Sequence, residues 1–243
     1  HMALVLIGRG KAYYQGELLP GDQALKKAGL EPITLSSKEG LALVSGTTSA
    51  TAMAALGLYD FQKAAKSADI IGAMSLEALK GVMNAFDARV MQVRPHTDQG
   101  DTAENVRRIL AGSGIIEKYR GHRVQDALSL RCIPQLHGAA KKTFRDNAIL
   151  WPEEGNQDVI SACNPDSAYV GMEMDSACIA AVSLAKMSER RNNRMIDESL
   201  SGYPSFCIAN PGLNSGLMIP QYTQAGLINE MRGLATPSTI DNT

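Results

Sequence analysis

The sequence predicts a mainly helical chain, a bundle of long helices with a small hairpin or extended segment near the N-terminus. Three observations carry that expectation. Apolar residues recur at three- and four-residue intervals over long stretches, above all from Tyr169 to Arg191. Capping residues and helix-ending glycines fall where those stretches begin and stop. Only Lys11 to Pro20 reads as extended chain.

Met2 to Gly10 is apolar and then turns to glycine. Lys11 to Pro20 (KAYYQGELLP), with two tyrosines and a central Gly16, suits a hairpin. Asp22 to Ala28 follows a Pro-Gly turn and predicts a short helix closed by Gly29. Glu39 to Ala68 carries Leu, Ala, Met and Val at helical spacing, with Ser36 or Ser37 as its cap and Glu39 in its first turn. Gly46, Gly57, Thr47, Thr48 and Thr51 weaken isolated helicity there, so this helix requires tertiary packing. Ser67 to Leu79 predicts a further helix. Val82 to Gln99 holds Asn84 and Pro95 and predicts a loop.

Thr102 to Ala111 predicts a helix with Glu104 early and Arg107 and Arg108 late, the order a helix dipole favours. Arg120 to Pro134 has no strong period and sets Gln125, Asp126, Ser129 and Arg131 among apolar residues. Asp146 to Gly155 holds the single tryptophan, Trp151, and ends in a turn. From Tyr169 to Arg191, Val170, Met174, Cys178, Ala181 and Ala185 align, and the other faces are apolar too. Burial in a bundle is expected, with the SERRNNR end in water. Asn210 to Ser215 predicts a turn. Ser215 to Leu234 predicts a last helix with Pro220 in its first turns and Leu227, Met231 and Leu234 in line. Ala235 to Thr243 reads as loop.

The chain has 243 residues, 44 % apolar and 20 % charged, which supports a buried core and excludes wholesale disorder. Lys and Arg number 24 against 25 Asp and Glu, so no global basic field points to nucleic acid. No run of 18 apolar, uncharged residues exists, which excludes an ordinary helical membrane span. Cys132, Cys163, Cys178 and Cys207 are widely spaced, with no CxxC pair. They read as buried, reduced thiols of a cytoplasmic protein rather than a zinc site or a disulfide framework. His1, His96, His122 and His137 show neither HxxxH nor HxH spacing, so a metal site is not expected. No GxGxxG, GxSxG or GxxxxGK[ST] motif is present.

Longer strings say more. LALVSGTTSATAMAALGL (41–58), RVQDALSLRCIPQLHGA (123–139), the segment from Asp146 to WPEEG (146–155), SERRNNRMID (188–197) and PGLNSGLMIPQ (211–221) occur in this order. Together they resemble the aromatic amino acid ammonia-lyase family, of which histidine ammonia-lyase is the best-known member. RVQD-x-x-SLRC is the most specific string, and the resemblance covers essentially the whole chain. It implies a long-helix bundle of the ammonia-lyase/fumarase-like type. Residues 1–243 would be a single helical core domain of a chain twice as long.

The resemblance also implies chemistry. Family members form an MIO (4-methylidene-imidazole-5-one) electrophile from an Ala-Ser-Gly that this chain lacks, and use no metal. In the family the tripeptide lies shortly before a segment resembling His1-Met2-Ala3-Leu4-Val5, so the chain is expected to open just after it. The implied reaction eliminates ammonia from histidine or a related aromatic amino acid in amino acid catabolism, within a cytoplasmic homotetramer. Arg131 would bind the substrate carboxylate, with Leu128 and Asn164 also at the substrate. Gln125, Ser45 and Asn147 would serve the electrophile and the amine.

Several positions depart from the family pattern. Ser45 replaces an asparagine, Leu128 a tyrosine and Ala148 a proline, and Asn164-Pro165-Asp166 replaces an Asn-Phe-His stretch. A 2,3-aminomutase and a non-catalytic oligomeric scaffold therefore stay open beside the lyase. Glu173 and Asp175, charges in an apolar helix, are expected to pair with a neighbouring helix.

Overall fold

A computed structural model describes residues 2–45, 48–146 and 168–241. Contacts divide it into two compact units, one built from residues up to Met53 and one from Ala54 onward.

In the first unit a 3-10 turn, Met2–Ile7, leads into the expected hairpin. Strands β1 (Lys11–Tyr14) and β2 (Glu17–Pro20) pair antiparallel, with Tyr14 opposite Glu17. Gln15 and Gly16 turn the corner at φ 49° and 86°, the doubly left-handed geometry that a two-residue hairpin loop favours. Helix α1 (Gly21–Lys27) follows and ends, as expected, against Gly29. Helix α2 (Glu39–Ser45) starts where the Glu39 carboxylate reaches back to accept the Ser36 N–H at 2.6 Å, which ties the preceding chain to its first turn.

The second unit is helical among its described residues. Helix α3 (Thr48–Ala78) belongs to it from Ala54 onward. Two separate helices meeting near Ser67 were expected. A single helix forms because the buried stripe Ala65, Ala68, Asp69, Gly72, Leu76 runs through the junction without a break. The expected loop from Val82 to Gln99 is also mostly helical. It holds a 3-10 turn (Met83–Phe86), helix α4 (Ala88–Val93) and the first turn of α5 (Thr97–Ile109). Asp87 caps α4 by accepting the Arg89 N–H at 2.9 Å, and Pro95 merely separates α4 from α5. Helix α6 (Gly114–Lys118) is capped by the Ser113 hydroxyl.

After an irregular stretch come the one-turn helix α7 (Leu128–Arg131) and helix α8 (Ile133–Asp146). Helix α9 (Ala168–Ile196) is followed by the short α10 (Glu198–Ser201), a 3-10 turn (Ser205–Cys207), α11 (Met218–Leu234) and a last 3-10 turn (Thr239–Asp241). The turn expected at Asn210 to Ser215 joins the last two helices. Helix α8 packs on α5 and α9, and α9 packs on α11.

The main core joins Ala73, Leu76 and Leu79 to Phe86, Met91, Ala103, Val106, Leu110, Leu130 and Ile133. Side chains as large as Phe86 and Leu130, both fully buried, each contribute about 1.5–3 kcal/mol. A smaller cluster joins Ala140, Ala177 and Ala180 to Leu58, Phe61 and Met174.

Two amphipathic assignments shift. The buried stripe of α9 is Ala177, Ala180, Leu184 and Arg191, and Cys178 is exposed. The charged end of α9 is not wholly in water, because α8 and α11 cover Glu189 and Arg191. On α11 the buried residue is Ile228, while Leu227 and Leu234 are 53 % and 74 % exposed. The cysteines are less buried than expected. Cys178 is exposed, Cys132 and Cys207 are half-buried, and Cys163 lies outside the described residues. Trp151 and its segment lie outside them too.

Close approach of α5 and α8 depends on Gly138. A Cβ there would lie 2.6 Å from the backbone N and Cα of Gln99, against atoms that cannot swing away. Gly138→Ala is expected to force the helices apart and cost about 1–3 kcal/mol, as overpacking does. Urea unfolding of the two proteins checks this; an unchanged midpoint would contradict the close packing.

Candidate active site

Three of the six expected site residues lie on one short segment. Helix α7 has only one turn and no side-chain cap, so its stability comes from burial of Leu130 and of Ile133 just beyond it. Arg131 closes that turn, half-buried. Gln125 precedes it in irregular chain, exposed, and its Oε1 accepts a hydrogen bond from an Arg131 guanidinium N–H. The Arg131 Nε is buried and has no hydrogen-bond partner among the described residues. Leu128, on the same turn, is 60 % exposed.

Ser45 is the last residue of α2, in the first unit, while Asn147 and Asn164 lie outside the described residues. A cavity of about 430 Å³ between α5 and α8, lined by Arg94, His96, Gln99, Gln135 and Lys142, shares no residue with the Gln125–Arg131 pair. Among the described residues, no three His, Cys, Asp or Glu side chains cluster to hold a metal ion.

Sequence reasoning missed a buried polar network beside the core. Asp69 of α3 is almost fully buried. Its Oδ1 lies 2.9 Å from His137 Nδ1, and its Oδ2 accepts from Asn105 Nδ2 at 3.0 Å and from the Lys141 ammonium. Lys141 also donates to the Thr102 hydroxyl at 2.9 Å. The far side of the His137 ring, Nε2, meets the Arg191 guanidinium at 3.2 and 3.3 Å. An ionised Asp69 and a cationic Arg191 together select the neutral imidazole with its proton on Nδ1.

The protonation states follow from burial and partners. Burial opposes charge on Asp69, but hydrogen bonds from His137, Lys141 and Asn105 outweigh it and hold the carboxyl below its usual range. Burial pushes His137 below the usual histidine value, and the Arg191 and Lys141 charges add to that, against the pull of Asp69. Burial lowers Arg191 to about 10, which leaves it charged at neutral pH. One signal for this network was available. Asp69 interrupts an apolar stripe, and His137 and Lys141 stand four residues apart on one face of α8.

The aromatic amino acid lyase family model matches residues 1–243. The chain belongs to this family. It is 44 % identical over 256 aligned residues to a histidine ammonia-lyase of Alkaliphilus metalliredigens, covering 100 % of this chain and 50 % of that protein. The chain thus spans about half the length of the curated relatives it matches. Among solved structures it is similar to a tyrosine aminomutase from Streptomyces globisporus, with TM-score 0.84, 31 % identity, and coverage of 100 % of this chain and 52 % of that one. It is also similar to a histidine ammonia-lyase from Trypanosoma cruzi, with TM-score 0.81, 32 % identity, and coverage of 99 % and 48 %. These neighbours bear out the helical ammonia-lyase type of fold and the N-terminal hairpin.

Asp175 finds a different partner from the one expected. It accepts from the backbone N–H groups of Ser238 and Thr239 at 3.1 and 3.0 Å and from their hydroxyls at 3.2 and 2.6 Å. The Thr239 hydroxyl and those N–H groups hold its carboxyl at about 2. No neighbouring helix is needed, because a turn of backbone supplies the donors. Glu173 is exposed.

The network makes stability pH-dependent. His137 titrates lower in the folded chain than its ordinary value of 6.5, so on acidification the unfolded chain takes up this proton first. The His137 contribution is therefore complete above about pH 6.5 and falls as pH drops toward the folded pKa, by at most about 1.4 kcal/mol per pH unit. Asp69, also depressed, adds a second loss below its ordinary 3.8. His137→Asn, which keeps a donor for Asp69 and cannot titrate, is expected to flatten the slope just below pH 6.5 in urea unfolding. An equal slope in both proteins would rule the histidine out.

Proposed function

We propose that this chain is part of an ammonia-lyase that eliminates ammonia from histidine or a related aromatic amino acid and leaves an α,β-unsaturated acid. The Gln125–Arg131 pair carries the reading. A guanidinium fork matches a carboxylate, and its charge-assisted hydrogen bonds are about twice as strong as neutral ones. One N–H of Arg131 is spent on Gln125, and its Nε has no acceptor among the described residues. A substrate carboxylate takes up the terminal guanidinium N–H groups that Gln125 leaves free. Leu128, apolar and exposed, offers a wall to the substrate side chain. Ser45, Asn147 and Asn164 take their places at the electrophile, the amine and the substrate by resemblance.

Gln125 fits an MIO group. It is exposed, its carbonyl is engaged by Arg131, and its amide N–H groups are left to donate. Formed from an Ala-Ser-Gly, an MIO supplies an electrophile that draws electrons from the substrate amine. Gln125 and Arg131 orient the amino acid against it, and a base removes the β-proton. No metal takes part. Residues 1–243 serve as the helical core domain of a longer, cytoplasmic homotetrameric enzyme of amino acid catabolism. Exposed apolar residues on α3, α9 and α11, such as Leu56, Met74, Ile179 and Tyr222, support such an assembly.

The likeness to a tyrosine aminomutase supports a second reading, return of ammonia to the β-carbon. Incubation of the intact protein with L-histidine, L-phenylalanine and L-tyrosine separates the two. Ultraviolet absorbance of an unsaturated acid supports the lyase, and a β-amino acid product the aminomutase. Neither product from any of the three leaves a scaffold. Arg131→Gln is expected to raise KM by roughly 10- to 100-fold, the loss of one charge-assisted contact; an unchanged KM would remove Arg131 from the carboxylate.

A further inference from the structure

We infer that Asp126 is a positioning residue for the Gln125–Arg131 pair, fastening the irregular segment that carries Gln125 to the corner after α3. The inference rests on the carboxylate-binding reading above.

Asp126 stands between Gln125 and the start of α7, and its side chain is 1 % exposed. Its Oδ2 accepts the Val82 N–H at 2.5 Å, across 44 residues of sequence. Its Oδ1 lies 3.3 Å from an Arg123 guanidinium nitrogen and has no hydrogen bond. Arg123 in turn donates to the Leu79 carbonyl at 3.2 Å. Both struts thus reach the same corner, Leu79 to Val82. That corner is stiff. Leu79 and Val82 are buried, Lys80 is left-handed at φ 56°, and the Gly81 N–H closes on the Leu76 carbonyl at 2.7 Å.

The segment has little else to hold it. Val124 is 91 % exposed and Gln125 is exposed, with no regular structure from Arg120 to Ala127. On the other side of Asp126, Leu130 and Ile133 anchor α7 and α8 in the core. Gln125 and Arg131 hang from these two anchorages and meet across them. Releasing Asp126 frees Gln125 from its place beside Arg131 while α7 keeps its own burial. The expected consequence is weaker substrate binding rather than slower chemistry.

The test compares Asp126→Ala and Asp126→Asn with the unaltered full chain in KM, kcat, thermal midpoint and hydrogen exchange. Asp126→Ala is expected to raise KM by about 10-fold or more, the scale of a misplaced binding group, and to speed exchange at residues 120–131 with α9 and α11 unchanged. Asp126→Asn keeps an acceptor for the Val82 N–H and is expected to show a smaller rise, which a purely structural role would not grade. If Asp126→Ala does not fold, Asp126→Asn decides by the same readouts. A lower midpoint or kcat with unchanged KM overturns the inference, as does unchanged exchange at 120–131. If Arg131→Gln also leaves KM unchanged, it is the carboxylate-binding reading that falls, and the exchange result still judges Asp126.

Discussion

A carboxylate sunk between α3, α5 and α8 governs how these helices meet. Removing an ion from water costs several kcal/mol unless its lone pairs are filled, and Asp69 is only 2 % exposed. Its direct donors come from two helices, with a third behind them. Asn105 reaches from α5, His137 and Lys141 from α8, and Arg191 from α9 through the imidazole. A one-residue slip of any of these helices would strand a buried charge, so the network restricts the bundle to one register. Apolar contacts around Leu76 and Ile133 supply stability but tolerate rearrangement far better.

That register has a consequence for the candidate site. Helix α8 carries His137 and Lys141, and α7 leads directly into it. Whatever holds α8 against α3 and α5 also holds Arg131, whose own helix is too short to stand alone. The guanidinium therefore occupies a place set by a large, slow-to-deform core, while Gln125 depends on a light tether at Asp126. Binding groups with one rigid and one adjustable partner can accept a carboxylate and still accommodate different side chains beyond it. In this chain Leu128 leaves that further space apolar.

Local signals predicted well where they acted locally. Gly16, Pro20-Gly21 and Gly29 marked the hairpin and α1, because turn geometry is decided within a few residues. Long apolar periodicity marked α9 and α11, though not which face is buried, since alanine and methionine on every side leave that choice to the neighbours. The loop expected from Val82 to Gln99 failed for the opposite reason. Asn84 and Pro95 are weak breakers, and burial of Phe86 and Met91 with the Asp87 cap overrode them.

Five strings in order pointed to the family, and the most specific of them, RVQD-x-x-SLRC, picked out Gln125 and Arg131, because identity of side chains in order is a property of sequence. Folding decided that these two side chains touch, that Asp126 turns inward to hold them, and that Asp69, His137 and Arg191, separated by 68 and 54 residues, share one buried network. Such pairings cannot be read from spacing. They exist only once helices distant in sequence are brought within hydrogen-bonding range and water is excluded between them.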